Sequence, residues 1–177
     1  MEKHKTCTFI GHRKIDITEE LKRSLLQIIE KLITEHHVVN FLFGSRSEFD
    51  RLCHLIVTQL KEKYPFLKRI AYTCKSETCT LESQRAKWEK IYSSVLNKEI
   101  NLLGFEEEYE HKNKYTAGKA SYIERNQAMI NNSDYCIFYY DENYQLEKLF
   151  NKSKSGTALS FAYAKQKKKN IINLFKT

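Results

Sequence analysis

Glycine and proline are scarce, with five glycines and a single proline in 177 residues. That excludes collagen-like and Gly/Pro-rich low-complexity chains, and it makes the place of each glycine informative. No apolar run approaches the roughly 20 residues a membrane helix needs. The first such run, CTFI at Cys7–Ile10, is too short for a secretory leader and no cleavage pattern follows it. A soluble, cytoplasmic protein with no membrane partner is the expectation. The cysteines are odd in number, at Cys7, Cys53, Cys74, Cys79 and Cys136, and sit mostly in apolar runs. That suits a reducing compartment better than a disulfide framework. Cys74 and Cys79 form one C-x4-C pair with no second pair nearby, so neither a metal nor a cofactor is expected.

Eleven tyrosines and ten phenylalanines, within a hydrophobic content of 41%, supply a core and exclude a disordered chain. The length fits one domain spanning residues 1–177. A net charge of +8 raises the prior for an anionic partner: a nucleotide, a nucleic acid or a membrane surface. The abundance of Lys, Asn and Ile is also what an AT-rich genome produces, so part of that charge carries no functional information.

Short apolar runs alternate with helical patterns. CTFI, VVNFLF, LKRIAYT (Leu67–Thr73), YCIFYY and NIINLF read as strands. In LKRSLLQIIEKLI, Leu21, Leu25, Ile28, Ile29 and Leu32 share one helical face. Asp16 with Glu19, and Ser45 with Glu48, make capping-box pairs before the first two helices. KASYIERNQAMINNS and SGTALSFAYAKQKKK read as two further helices. From about 74 to 119 the pattern loosens into a helical piece around QRAKWEKIYSSVL, the acidic stretch GFEEEYE and a polar loop. This alternation predicts an α/β fold, a three-layer Rossmann-like sandwich around a mainly parallel sheet. Ligands of such folds bind outside the carboxyl ends of the strands.

Three of the five glycines, Gly11, Gly44 and Gly156, fall where a strand passes into a helix or where that helix begins. Glycine there lets backbone N–H groups approach a ligand, and a helix N-terminus favours phosphate. Gly11 is followed by His12 and Arg13, of which Arg13 suits a phosphate or carboxylate held bidentately. In FGSRSEFDRL, Gly44, Ser45 and Ser47 supply donors, and Asp50 either accepts from ribose hydroxyls or simply sits well at the positive end of a helix. YIERNQAMI carries Glu124 and Arg125, with Met129 on the face of Arg125, and KSGTALS opens a helix with the donors of Ser155, Gly156 and Thr157. The stretch Asp141–Ser155 is long for a strand-to-helix connection and reads as a lid or as a surface loop. Trp88, Tyr92, Tyr109, Tyr115 and Tyr122 are candidates for stacking a base or for the core.

CTFIGHR, FLFGSRSEFDRL, ERNQAMINNSDYCIFYYD and SGTALSFAYAKQKKKNIINL resemble, in that order, motifs of the SLOG superfamily. That Rossmann-like group is named for the Smf/DprA DNA-processing proteins and the LOG phosphoribohydrolases, and the likeness is to a small uncharacterised bacterial branch of it. It runs from Thr6 through the second helix and resumes from about Tyr122 to Leu174. It implies a nucleotide-binding domain whose phosphate pocket is built from the Gly11 and Gly156 loops, with the Gly44 loop and Arg125 completing the wall. A homodimer is compatible with it. LOG enzymes pair an arginine of an ERK-type helix with the glutamate of a GGxGTxxE motif. Glu124 and Arg125 match the first part, but Ser155 stands where a glycine is expected, and Ala158, Leu159 and Ser160 follow Thr157 with no carboxylate.

N-glycosidic cleavage needs a carboxylate to stabilise an oxocarbenium-like centre or to activate water. The leading expectation is therefore the binding, for sensing or sequestration, of a nucleotide or ADP-ribose-like small molecule. The alternative is LOG-like hydrolysis of a nucleoside 5′-monophosphate, with Asp50, Glu124 or Asp141 as substitute carboxylate. A second alternative is nucleic-acid binding through Lys165, Lys167, Lys168 and Lys169 and the NKSKS loop at 151–155.

Overall fold

Among the residues described by the computed structural model, 4–44, 47–74, 104–114, 119–143 and 155–175, strands and helices alternate as the apolar pattern requires. The strands are β1 (Lys5–Gly11), β2 (Val38–Phe43), β3 (Lys68–Cys74), β4 (Glu107–His111), β5 (Tyr135–Tyr139) and β6 (Asn170–Asn173). The helices are α1 (Glu19–His36), α2 (Glu48–Lys63), α3 (Lys119–Asn131) and α4 (Gly156–Gln166). The strands form one sheet in the order β4-β3-β2-β1-β5-β6, and every pairing in it is parallel. This is the α/β Rossmann-like sandwich that the sequence predicts.

Period-two alternation sends neighbouring strand residues to opposite faces. Phe9, Phe41, Phe43 and Ile137 face α1 and α2, where they bury Leu25, Ile29, Leu32, Phe49 and Leu52. Phe9 lies between the rings of Phe41 and Phe43, at 5.9 and 5.2 Å. On the other face Ile10, Cys136 and Phe138 pack on Ile130 of α3 and Ala164 of α4, and Leu42 and Tyr72 pack on Met129. The four described cysteines, Cys7, Cys53, Cys74 and Cys136, are buried free thiols. Burial pushes that of Cys136 up to about 12. No described helix is long and apolar enough to cross a membrane.

Three local expectations change. The caps of α1 and α2 are Thr18 and Ser47, whose hydroxyls accept from Leu21 N and Asp50 N at 3.1 and 3.0 Å. Asp16 lies too far upstream to cap, and Ser45 lies outside the described residues. Glu48, expected to reach back to its own cap, instead accepts from Ile15 N at 3.0 Å and ties the β1–α1 connection to α2. The acidic stretch after Gly104 contains a strand, β4. Its exposed Glu107, Glu108 and Glu110 put charge on the sheet edge, which protects an edge from further pairing and hides the alternation that marks an interior strand.

Where α1 stops, His37 takes the left-handed conformation at φ 56°, and its N–H caps Leu32 O. Lys168 does the same beyond α4, at φ 53°. Both positions ordinarily favour glycine.

Candidate functional site

β1 has β2 on one side and β5 on the other, so the sheet's order reverses at β1. At such a switch point the connecting loops diverge and leave a crevice. A cavity of about 460 Å³ lies there, floored by Phe9, Ile10 and Gly11. That volume is within the range of small-molecule sites. Four segments wall it: His12 and Arg13 after β1; Gly44, Ser47 and Asp50 between β2 and α2; one side of α3; and Ser155, Gly156 and Thr157 at the start of α4.

Gly11 is demanded by packing. A Cβ on it would come within 2.5–2.6 Å of Phe49, whose ring crosses the end of β1. His12 is buried and acts as a latch: its Nε2 accepts the N–H of Asp141 at 2.9 Å, joining the ends of β1 and β5. Burial lowers its pKa against the opposing pull of Asp141. The bond to Asp141 needs an unprotonated Nε2, so the ring is neutral with its proton on Nδ1. The Arg13 side chain is exposed at the rim.

Gly44 is held on both sides. Its N–H donates to Asp50 Oδ1 at 3.2 Å, and its carbonyl accepts from Arg125 Nη1 at 2.8 Å. Both partners are buried, Asp50 at 4% and Arg125 at 5% exposure, which leaves little room for either to swing away. The Arg125 guanidinium lies over the Tyr122 ring, 5.4 Å from its centroid, and its Nη2 donates to Asn126 Oδ1 at 3.2 Å. At the start of α4, Ser155 is the N-cap and accepts from Ala158 N at 3.1 Å. Thr157 is buried beside it. Gly156 has open space where a Cβ would project.

Gly11, His12, Arg13, Gly44, Asp50, Arg125, Ser155, Gly156 and Thr157 thus converge on one cavity. Glu124 does not join them. One position along α3 turns a side chain by about 100°, and its carboxylate accepts from Lys114 N at 3.0–3.1 Å and from Asn113 Nδ2 at 3.3 Å. Ser45, Arg46, Cys79, Trp88, Tyr92, Tyr115 and residues 144–154 lie outside the described residues. Cys74, considered above for a metal pair, donates its thiol to Ser121 O at 3.4 Å.

Sequence reasoning passed over Lys119, Ile123 and Asn126. With Tyr122 they line the cavity at i, i+3, i+4 and i+7, the period of a single helical face. Counting outward from Tyr122 would have found them.

A family model described as the YspA SLOG family matches residues 7–175. The uncharacterized SPbeta prophage-derived protein YoqJ of Bacillus subtilis (strain 168) is 29% identical over 151 residues, covering 83% of this chain and 81% of the relative. A solved structure of DNA processing protein A from Helicobacter pylori, reported for its single-stranded DNA binding mode, superposes with a TM-score of 0.58 at 16% identity. The alignment covers 97% of this chain but 66% of that one, and at such identity the likeness is one of fold. The family match begins inside β1 and ends beyond β6, and the chain belongs to the YspA SLOG family.

Proposed function

We propose that the chain binds a phosphorylated, nucleotide-type small molecule in the switch-point cavity, to sense or sequester it. The observation that carries this reading is the convergence of Arg13, Lys119, Arg125 and the first turn of α4 around an apolar floor. Cationic groups and a helix N-terminus suit a phosphate. Tyr122 offers a ring to a base, and Asp50 a carboxylate near ribose hydroxyls. An ADP-ribose-like molecule has the same chemistry.

Binding is favoured over hydrolysis by where the carboxylates lie. The first turn of α4 has none, and Glu124 is engaged with residues 113–114. Among the described lining residues Asp50 supplies the carboxylate, and one of its oxygens accepts the Gly44 N–H. Nucleic acid is a weaker alternative. Lys165, Lys167, Lys168 and Lys169 sit at the end of α4 opposite the cavity, and Lys169 Nζ donates to the carbonyls of Asn131 and Ser133 at 3.1 and 2.7 Å, while Lys152 and Lys154 of the NKSKS loop lie outside the described residues. The single-stranded DNA binding reported for DNA processing protein A belongs to that protein.

The test is a thermal-shift screen against nucleoside mono- and diphosphates and ADP-ribose, with released base read by mass spectrometry. A ligand at 100 times its Kd adds about 2.7 kcal/mol, on the order of 5–10 °C in Tm for a domain of this size. A shift with the ligand intact supports binding, and free base that disappears in Arg125→Ala establishes hydrolysis. No shift, together with single-stranded DNA binding that weakens steeply from 50 to 200 mM salt, would replace this reading with the nucleic-acid one.

A further inference from the structure

Arg125 is anchored by hydrogen bonds that run outward from it, three in succession towards Gly156 and one to Gly44. Its guanidinium can only donate, so the Asn126 oxygen must face it and the Asn126 NH2 must face away. That NH2 donates to Ser160 Oγ at 3.1 Å, which commits the Ser160 hydroxyl proton to the Gly156 carbonyl at 2.8 Å. From its other arm Arg125 donates to Gly44 O. The sequence of contacts is therefore Gly44, Arg125, Asn126, Ser160, Gly156, from the β2–α2 loop across α3 to the first turn of α4. Ser160 has no exposed surface and does not line the cavity.

We infer that Ser160 is a positioning residue for the cavity: through Asn126 it sets the Arg125 guanidinium, and so joins the Gly44 and Gly156 loops into one unit. The three bonds from Arg125 to Gly156 are aligned, so each polarises and strengthens the next. A serine in a helix that bonds back to the carbonyl four residues earlier is ordinarily neutral or slightly unfavourable. Here the same hydroxyl also accepts from a residue of another helix. The ligand-binding consequence rests on the function proposed above; the coupling between the loops does not.

The experiment uses the full chain with Ser160→Ala, and with Ser160→Thr to restore the hydroxyl. Without ligand, amide exchange is followed at Gly44, on the far side of the cavity. Ser160→Ala should speed Gly44 exchange about fivefold, the equivalent of one ordinary hydrogen bond. Phe9 and Ile137, in the sheet core, should stay unchanged, and Ser160→Thr should return Gly44 to the wild-type rate. A general loosening would instead move all three amides together. With adenosine 5′-monophosphate as probe, Ser160→Ala should bind about fivefold more weakly, and the Ser160→Ala/Arg125→Lys double variant no more weakly than Arg125→Lys alone. Wild-type exchange at Gly44 in Ser160→Ala overturns the inference, and so do additive losses in the cycle. If the wild-type chain binds no nucleotide, the proposed function fails, and the Gly44 exchange decides the inference alone.

Discussion

The Arg125 guanidinium fills the space that a side chain on Gly44 would need: a Cβ there would lie 2.8 Å from Nη2 and 2.9 Å from Cζ. The glycine and the arginine therefore form a matched pair. Gly44→Ala should push the guanidinium from its place in the cavity wall. The fold should lose about 1–3 kcal/mol, as overpacked sites do, while nucleotide affinity falls as far as in Arg125→Ala. Urea unfolding and calorimetric titration measure the two effects. Wild-type affinity in Gly44→Ala would show that Arg125 is not held by this contact.

Gly11 and Gly156 should behave as opposites. Gly11→Ala drives a methyl into Phe49 and should lower the unfolding free energy by about 1–3 kcal/mol. Gly156→Ala meets nothing within 4 Å, and at a helix start it should leave stability within about 0.5 kcal/mol of wild type. A loss of nucleotide affinity in Gly156→Ala at unchanged Tm would then report a ligand approaching the backbone there. Equal loss of stability in both variants would contradict the packing difference.

The carboxylates separate in the same way. Glu124→Gln should leave nucleotide affinity within twofold, because that side chain serves residues 113–114. Asp50→Ala should weaken binding about tenfold or more, since it frees the Gly44 N–H as well as removing a lining carboxylate. Isothermal titration of both variants decides it, and the reverse order would move the functional carboxylate to α3.

Much of this architecture is legible in the sequence because a parallel sheet covered on both faces leaves a plain record. Phe9, Phe41 and Phe43 are apolar because one face is buried, and Ile10, Leu42 and Phe138 because the other is. The glycines marked the cavity, though Gly11 and Gly44 are also glycines for the sake of Phe49 and Arg125, a packing demand that no motif states. β4 escaped notice because Glu107, Glu108 and Glu110 are the residues of a protected edge. Glu124 lies off the cavity because adjacency in sequence is a poor guide to a helical face, which the spacing from Lys119 to Asn126 describes better.

Acid should destabilise the fold through His54. Its ring meets Phe43 edge-on at 5.1 Å and lies 4.7 Å from Phe105. Burial first, and the Arg69 charge second, bring its pKa down to about 3 against the opposing pull of Glu106. The folded chain keeps the ring neutral, whereas the unfolded chain protonates it near the ordinary value of 6.5. The contribution is therefore complete above pH 6.5 and is lost as pH falls towards 3, by up to about 1.4 kcal/mol per pH unit. His54→Phe should flatten the stability profile between pH 6.5 and 4.5 relative to wild type. An unchanged slope would place the acid sensitivity elsewhere.

Below pH 4.5 a second group enters. Glu106 accepts from Arg69 N and Nη2, each at 2.7 Å, and from Arg69 Nε at 3.2 Å. Burial alone would raise its pKa, but the bonds from Arg69 outweigh burial and hold it at about 2. That stabilisation is present above about pH 4.5 and disappears as pH falls through 2. Arg69→Met should cost about 2–3 kcal/mol at pH 7, less than for a fully buried pair because Glu106 is partly exposed. Arg69→Met with Glu106→Leu should recover part of the loss in the same urea assay, and no recovery would point to the Arg69–Thr58 bond instead.

The position of β1 has a consequence for how the chain is made. β1 leaves the ribosome first among the described strands yet ends in the middle of the sheet, and its second neighbour, β5, begins only at Tyr135. At ordinary elongation rates the gap is on the order of 10 s. Throughout it, the edge of β1 beside Phe9 and Ile10 lacks its final partner. The cavity lies on this late seam, so the nascent chain first holds only the walls formed by the β1–α1 and β2–α2 connections, and the walls from α3 and α4 come last. The cavity is closed on all four sides only once the first turn of α4 has been made.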